Sequence, residues 1–261
     1  MTLFDNLRTA YHSPAGRLIR QYRIPLSFIF AGLLLLLYDR GCSGKAPGVA
    51  GQHPHTYAGE GRALNYQLYL PADYESRREW PVILYLHGAS LRGSKVARVT
   101  RYGLPRMLKK RTDFPFIVIS PQCPAGESWE HLTVELTGLL DEIARRYRVD
   151  EDRVYLTGIS LGGGGAWHLA AQHPERFAAL APLCGYGDPA LAPAYKDLPV
   201  WIFHGALDRQ VPVSISDEMA AAIRRAGGKV KYSRYPRENH NIVEMVYQDQ
   251  ALYDWFLTHR R

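Results

Sequence analysis

The chain has 261 residues, of which 46% are hydrophobic, and this is ample for one sizeable globular core. Its formal net charge is +7, but residues 1–45 carry six Lys and Arg side chains against two acids and supply +4 of that charge. No basic helix or platform of basic and aromatic residues follows, so the composition excludes nucleic acid as the expected partner.

An apolar segment of 15 residues, 24–38, lies near the N-terminus and follows Arg17, Arg20 and Arg23. A positive flank before an apolar run keeps the N-terminus cytoplasmic while the following chain crosses the membrane. The segment is short for a full span, which needs about 20 residues. We therefore expect a membrane-anchored or exported protein of the cell envelope. The segment is an uncleaved anchor, or a signal that is cleaved or lipidated at Cys42, with a buried core helix as the remaining alternative.

These features divide the chain into four parts. The basic flank occupies residues 1–23, and the signal or anchor segment occupies 24–38. Glycines and a proline punctuate the chain that follows, so 39–55 is interpreted as a linker. Residues 56–261 then form a single folded domain, which carries all of the motifs described below.

Strand patterns open this domain. Between residues 64 and 70, apolar side chains at every second position predict an early strand with one buried face. The continuous apolar run Trp80–Leu86 is typical of a central strand that is buried on both faces. His87 begins the following loop and is interpreted as a structural residue that braces the turn.

The most informative motif is G-x-S-x-G at 158–162, with Ser160 at its centre. An apolar, β-branched run at 153–157 precedes the motif, and a glycine-rich, helix-compatible segment at 163–171 follows it. Strand, sharp turn and helix are the context of a nucleophile elbow, in which a strained turn exposes the serine hydroxyl. The alternative interpretation is a glycine-rich turn with an ordinary serine.

Two possible partners for that serine follow later in the chain. Asp208 comes shortly after an apolar strand at 199–203, and His240 lies in the loop after an alternating strand at 229–235. A serine hydroxyl is a poor nucleophile near neutral pH, so a histidine must take its proton and a carboxylate must orient that histidine. The residue types and their order therefore predict a catalytic triad of Ser160, His240 and Asp208.

Several stretches of the domain carry a family resemblance, namely 84–89, 120–124 with Trp129, the elbow, 173–177 and 203–208. Through them the chain from about residue 59 resembles the small serine esterases of the α/β-hydrolase superfamily. The branch in question is described as dienelactone-hydrolase-like, polyhydroxybutyrate-depolymerase-like or predicted peptidase. The resemblance implies hydrolysis of an ester or similar acyl bond, with no metal and no cofactor.

The same resemblance implies an oxyanion hole made by the backbone N–H groups of Ala89 and Leu161. Ser90 and Leu91 depart from the family pattern in the loop that carries Ala89, and the residues just before His240 depart from it as well. These departures leave the substrate class open. Trp129 either lines the acyl or alcohol pocket or is a loop tryptophan packed for stability.

The expected fold class is α/β: an α/β-hydrolase fold with a mostly parallel central sheet, helices on both faces and an apolar signal or anchor helix before it. Apolar residues at helical spacing predict helices along 131–148, 218–226 and 247–259. Only 48 positions separate Ser160 from Asp208, so no large cap domain is expected.

We therefore expect a carboxylesterase-type serine hydrolase that cleaves a small-molecule or polymer-derived ester through an acyl-enzyme. Two alternatives stay open. One is a small serine peptidase of the prolyl-oligopeptidase type, and the other is a non-catalytic envelope binding protein with the same fold. Apart from the membrane contact of the N-terminal segment, no partner is predicted, and the sequence does not indicate the oligomeric state.

Overall fold

A computed structural model describes residues 49–261. The predicted basic flank, the signal or anchor segment 24–38 and the lipidation site Cys42 lie outside the described residues. Among residues 49–261, no helix is both long enough and apolar enough for a membrane crossing.

Eight strands form one sheet in this part of the chain. In chain order they are β1 Gly51–Tyr57, β2 Leu64–Leu70, β3 Trp80–Leu86, β4 Ile117–Pro121, β5 Val149–Ile159, β6 Ala179–Leu183, β7 Val200–Gly205 and β8 Val230–Tyr235. Their order across the sheet is β1-β2-β4-β3-β5-β6-β7-β8. β2 pairs antiparallel with both β1 and β4, and every other pair is parallel. The predicted mostly parallel sheet is thus confirmed.

Helices cover both faces of this sheet, as predicted. The α-helices of residues 49–261 are α1 Gly103–Leu108, α2 Thr133–Arg146, α3 Leu161–Gln172, α4 Val213–Arg225, α5 Val243–Gln248 and α6 Gln250–Leu257. Apolar side chains of α2, α3 and α4 fill the core on one face, and those of α1, α5 and α6 fill the core on the other. Each face therefore has its own hydrophobic layer.

Strand β3 is the central strand that its sequence predicts. All seven of its residues are buried, and it lies between β4 and β5. Val82 and Leu84 point into one hydrophobic layer, whereas Ile83 and Tyr85 point into the other, as the two-residue period of a strand requires. Its last residue, Leu86, pairs with Gly158 on β5, which places the loop after β3 beside the elbow.

The linker prediction for 39–55 is wrong at its C-terminal end, because β1 starts at Gly51. This strand pairs with β2 along its whole length. Four of its seven residues, His53 among them, are partly buried, whereas Pro54 and Thr56 are exposed. A polar edge strand has no apolar alternation, and proline is tolerated at a sheet edge, so backbone pairing alone makes this segment a strand.

Two other elements differ from expectation. β2 is buried on both faces, because Tyr69, on the face expected to meet solvent, packs edge-on against Phe114 with ring centres 6.2 Å apart. The single helix predicted over 247–259 is divided into α5 and α6. Asp249 causes the division, since its carboxylate accepts a hydrogen bond from the N–H of Ala251 at 2.9 Å and caps α6.

Candidate active site

Ser160 occupies the one-residue turn between β5 and α3. Its φ and ψ angles are 56° and −118°, a backbone conformation that costs energy for a residue with a side chain. The turn is tight: a Cβ on Gly158 would lie 2.2 Å from the carbonyl oxygen of Gly162, and a Cβ on Gly162 would lie 1.9 Å from that of Leu86. Only glycine fits at both positions. The geometry is the strained strand–turn–helix that the motif predicts.

The carboxylate of Asp208 is fully enclosed in the loop after β7. Its Oδ1 accepts hydrogen bonds from the backbone N–H groups of Gln210 at 2.8 Å and Val211 at 2.9 Å. Its Oδ2 lies 2.6 Å from Nδ1 of His240. Burial raises the pKa of this carboxyl group, but the hydrogen bonds that it accepts outweigh burial and leave its pKa below the ordinary value. Asp208 is therefore ionised at neutral pH.

Two backbone hydrogen bonds join the loop that carries the acid to the loop that carries the histidine. The N–H of Ala206 donates to the carbonyl oxygen of Tyr235 at 2.8 Å, and that of Leu207 donates to Glu238 at 2.9 Å. Gly205 permits this approach, because a Cβ there would lie 2.6 Å from the Glu238 carbonyl oxygen. Strands β7 and β8 are parallel neighbours, so both loops leave the same edge of the sheet.

Ser160 and His240 line one cleft of about 460 Å³ at this edge. The His240 side chain is 15% exposed, and its Nδ1 is held by Asp208. The Ser160 hydroxyl makes no hydrogen bond to any described residue. Catalytic hydrogen bonds of that kind are often long until a substrate is bound. The structure thus brings the three predicted residues together at one site.

The loop after β3 lies directly against the elbow. A Cβ on Gly88 would be 3.7 Å from the Cβ of Ser160. Ala89 comes next in this loop, and Leu161 is the first residue of α3. Neither backbone N–H has a hydrogen-bond partner within residues 49–261. Free N–H groups are expected at a helix start, and here two of them flank the serine where an oxyanion would form.

His87 is a buried brace for this loop, as the sequence predicts. Its Nδ1 donates to the Gly88 carbonyl oxygen at 2.7 Å, and its Nε2 accepts from the Cys123 N–H at 3.1 Å. Burial lowers its pKa to about 4, so the ring is neutral and has no spare donor or acceptor atom. The side chain holds the loop after β3 in place without facing the cleft.

The pocket interpretation of Trp129 is wrong, and its alternative, a tryptophan packed for stability, describes the structure. The side chain is 1% exposed and belongs to the hydrophobic layer shared with α2 and α3. Its Nε1 donates to the His87 carbonyl oxygen at 2.9 Å, and its ring packs edge-on against the imidazole of His87. Trp129 therefore packs against His87 and supports the loop after β3.

Sequence reasoning missed several residues that line the cleft. Tyr102 crosses it from the loop before α1 and donates its hydroxyl proton to Oδ1 of Asn241, and Gln210 lies beside His240. Ser90 also lines the cleft. Of these residues, only Ser90 and Asn241 could be identified from the sequence, because they lie next to motif residues. Tyr102 belongs to no motif and reaches the site through a contact between segments 139 residues apart.

One buried group near the triad has the atoms of a metal site. A sulfur of Cys184, a ring nitrogen of His204 and a carboxylate oxygen of Asp208 lie within 4.8 Å of one another. The nitrogen Nε2 of His204 faces the Val211 carbonyl oxygen at 3.0 Å, and Asp208 is engaged by His240. A cation would have to displace these hydrogen bonds. The three side chains are therefore better described as part of a hydrogen-bonded cluster than as a metal site.

Comparison with known proteins gives a consistent picture. A model of the Esterase family matches residues 59–227. The chain is 31% identical over 98 residues to the bifunctional acetylxylan esterase/xylanase XynS20E of Neocallimastix patriciarum, a match covering 36% of this chain. It is 25% identical over 225 residues to dipeptidyl-peptidase 5 of Porphyromonas gingivalis, which covers 67% of this chain. The crystal structure of a thermostable esterase superimposes with a TM-score of 0.68 at 28% identity and covers 80% of this chain.

These relatives are longer than the matching region. The match spans 15% of the length of the acetylxylan esterase/xylanase, 32% of dipeptidyl-peptidase 5 and 63% of the esterase crystal structure. The likeness therefore concerns one part of each relative, of about the size of a single domain.

Proposed function

The chain belongs to the Esterase family, and on that premise we propose that it is a serine hydrolase of the carboxylesterase type. Ser160 is the nucleophile, His240 the general base and then acid, and Asp208 the residue that orients the histidine. The observation that carries the proposal is the 2.6 Å contact between Asp208 and His240 at a cleft into which a strained Ser160 also faces.

The reaction follows from these positions. As Ser160 Oγ attacks the ester carbonyl carbon, Nε2 of His240 takes the hydroxyl proton. The carbonyl oxygen becomes an oxyanion that the N–H groups of Ala89 and Leu161 stabilise. His240 then gives its proton to the departing alcohol, which leaves an acyl-enzyme. Water, deprotonated by the same histidine, attacks the acyl carbon and releases the acid together with free Ser160.

The site is open toward solvent, which fits a small or polymer-derived ester. The described residues between Ser160 and Asp208 form α3, β6, β7 and short 3₁₀ turns, with no inserted cap. Tyr186 and Leu207 are about half exposed, at 52% and 58%. The hydroxyl of Tyr186 donates to the carbonyl oxygen of Gln210, a cleft residue, so this aromatic ring lies close to the rim.

A peptidase is the second candidate activity, and the likeness to dipeptidyl-peptidase 5 favours it. Peptide and ester hydrolysis use the same triad, so geometry alone does not separate them. The match spans only 32% of that relative. A non-catalytic binding protein is the third candidate, but none of the residues 49–261 obstructs Ser160.

Labelling of the full chain with a fluorophosphonate, followed by mass-spectrometric mapping, tests the proposal. We expect covalent labelling at Ser160 and none in Ser160→Ala, whose kcat on p-nitrophenyl acetate should fall by about 10⁴–10⁶. Ser214→Ala, an exposed serine on α4, is the matched control and should keep both labelling and turnover. A folded chain that is not labelled would contradict the proposal and favour a binding protein.

Substrate preference is tested with esters and anilides that release related chromophores. We expect turnover of p-nitrophenyl acetate and butyrate and little turnover of aminoacyl p-nitroanilides. Turnover of the anilides at comparable kcat/KM would favour the peptidase instead.

The proposal includes a location. The apolar segment 24–38 and the arginines before it anchor the protein in a membrane or direct its export. Fractionation of cells that express the full chain tests this. Recovery in the membrane pellet after an alkaline carbonate wash supports an anchor, release into the envelope supports export, and recovery in the cytosol contradicts both.

A further inference from the structure

A second histidine lies behind the proposed triad. His204 is the fifth residue of β7, and its side chain is completely buried. Its Nε2 lies 3.0 Å from the carbonyl oxygen of Val211 and 3.2 Å from Oδ2 of Asp208. This is the same carboxylate oxygen that contacts Nδ1 of His240. Asp208 is therefore placed between two imidazole rings.

The neighbours of His204 determine which ring nitrogen carries the proton. A carbonyl oxygen and an ionised carboxylate only accept hydrogen bonds, so Nε2, which faces both, must be the donor. The other nitrogen, Nδ1, lies 2.7 Å from the hydroxyl of Ser216 on α4, and a neutral ring accepts the hydroxyl proton there. Ser216 is itself buried. Two hydrogen bonds, Ser216 to His204 and Asp208 to His240, are thus linked by the 3.2 Å contact between Nε2 of His204 and Oδ2 of Asp208.

This contact gives both oxygens of the carboxylate polar neighbours. Oδ1 of Asp208 accepts two backbone N–H groups, and Oδ2 accepts the Nδ1–H of His240 at 2.6 Å. The Nε2–H of His204 donates to the Val211 carbonyl oxygen and also faces Oδ2 at 3.2 Å. Neighbours on both oxygens resist rotation of the carboxylate, so Oδ2 stays directed at His240.

We propose that His204, held by Ser216, is a positioning residue that fixes Asp208 against His240 and disperses part of the carboxylate charge. The proposal rests on the proposed function, because it assigns His204 a part in the orientation of the general base. His204 does not face the cleft, so it acts through Asp208 and never touches substrate.

Few of the groups that face His204 could themselves cause a change in the pH profile of catalysis. The groups that face it are the carboxylate of Asp208, the imidazole of His240, the thiol of Cys184 from the end of β6, the hydroxyl of Ser216 and the Val211 carbonyl. Burial raises the pKa of Cys184 to about 12, so that group stays a neutral thiol. Burial also keeps the pKa of His204 below its ordinary value, against the effects of Val211 and Asp208. His204 is thus a neutral donor in the working range of an esterase.

Two substitutions at position 204 separate positioning from packing. His204→Leu fills the space but has no N–H, whereas His204→Gln keeps an amide N–H that reaches toward Asp208. For the Leu variant we expect kcat on p-nitrophenyl acetate to fall about 10-fold or more with KM almost unchanged. The acid limb of its kcat/KM profile should move to higher pH, because an undispersed carboxylate charge stabilises the His240 imidazolium more strongly. His204→Gln should recover most of kcat and the original acid limb.

A packing role predicts the opposite order, because the apolar Leu suits a buried position better than Gln. A folded Leu variant with unchanged kcat and acid limb, or a Gln variant no better than Leu, would overturn the proposal.

Ser216→Ala provides a test that does not depend on either variant at 204 folding. It removes one hydroxyl from α4, and Ser214→Ala removes an exposed hydroxyl from the same helix as its matched control. We expect a loss of about threefold in kcat for Ser216→Ala alone. We also expect a shift of the downfield proton resonance of the His240 Nδ1–H, which Ser214→Ala leaves in place. Equal behaviour of the two variants contradicts the proposal.

Nitrogen-15 NMR of the wild-type chain keeps this result separate from the proposed function. The proposal requires His204 to be protonated at Nε2 and unprotonated at Nδ1, and this holds whether or not the chain turns over an ester. If esters are not cleaved but His204 has this tautomer, the proposed function fails and the placement of His204 against Asp208 stands. The opposite tautomer at His204 overturns the inference even in an active enzyme.

Discussion

At the scale of single residues, Asp208 is the most constrained side chain of the site. Its two oxygens have different partners: Oδ1 faces two backbone N–H groups, and Oδ2 faces His240 and His204. A backbone N–H can only donate a hydrogen bond, whereas an imidazole nitrogen can also accept one in its other tautomer. The two oxygens of the carboxylate are therefore not interchangeable. This asymmetry decides what an amide would do at the same position.

Replacement of Asp208 by Asn should lower kcat by about 10³–10⁴-fold. The amide oxygen of Asn will take the place of Oδ1, which leaves its NH₂ group facing His240. A donor there forces His240 into the tautomer whose Nε2 carries a proton and cannot accept one from Ser160. Steady-state kinetics measure the loss, and circular dichroism confirms that the variant is folded. A kcat within tenfold of wild type would contradict the assignment of Asp208 as the orienting acid.

At the scale of elements, helix α3 shows how closely this sheet is packed. The helix begins with four consecutive glycines after Leu161, and they meet quite different surroundings. A Cβ on Gly165 would lie 2.2 Å from the Cβ of Trp129, whereas a Cβ on Gly164 would lie 3.5 Å from the nearest atom, the carbonyl oxygen of Tyr186. Sequence alone makes the two positions look equivalent.

The pair Gly164→Ala and Gly165→Ala therefore gives a prediction with its own control. Ala at 164 should leave the free energy of unfolding unchanged or raise it by up to about 1 kcal/mol, since alanine favours a helix over glycine. Ala at 165 should lower it by about 1–3 kcal/mol, because Trp129 has to move. Urea unfolding measures both. Equal effects of the two substitutions would show that Trp129 does not pack against α3 as described.

The elements that the sequence predicts are those whose signal is local. The G-x-S-x-G motif and the apolar run of β3 each identify themselves within a few residues, and both are found where expected. Strand β1 and the Tyr102–Asn241 contact depend on pairing with distant segments, and their own residues have no apolar period. Trp129 was ambiguous for a related reason: only the position of α3 decides whether its ring is covered.

At the scale of the whole molecule, buried histidines make the fold sensitive to acid. His87 and His204 are both fully buried and neutral, and burial lowers the pKa of each, that of His87 to about 4. In the unfolded chain both rings take a proton near the ordinary value of 6.5. Between these two pKa values the unfolded chain binds more protons than the native chain, so falling pH favours unfolding.

We expect the free energy of unfolding to fall as the pH is lowered from 6.5 toward 4, by up to about 1.4 kcal/mol per pH unit for His87, and His204 acts in the same direction. Urea unfolding at pH 8, 7, 6, 5 and 4 measures the slope. His87→Gln should reduce it, because Gln can accept the Cys123 N–H and does not titrate. Ser214→Ala, at an exposed position without a titratable group, is the control and should leave the slope unchanged. A His87→Gln slope equal to that of wild type would contradict the prediction.

Because the turn around Ser160 is tight, the reactivity of the Ser160 hydroxyl also depends on the correct assembly of the neighbouring strands. Gly162 packs against Leu86 at the end of β3, and the Ser160 N–H donates to the Leu183 carbonyl oxygen of β6 at 2.9 Å. Three strands that are far apart in the chain must therefore be in register before the serine hydroxyl is presented. If Ser160 is the nucleophile that we propose, a partly unfolded chain that keeps its helices but loosens these strands will lose its reaction with fluorophosphonate first. Inactivation will thus precede the loss of helical signal during unfolding.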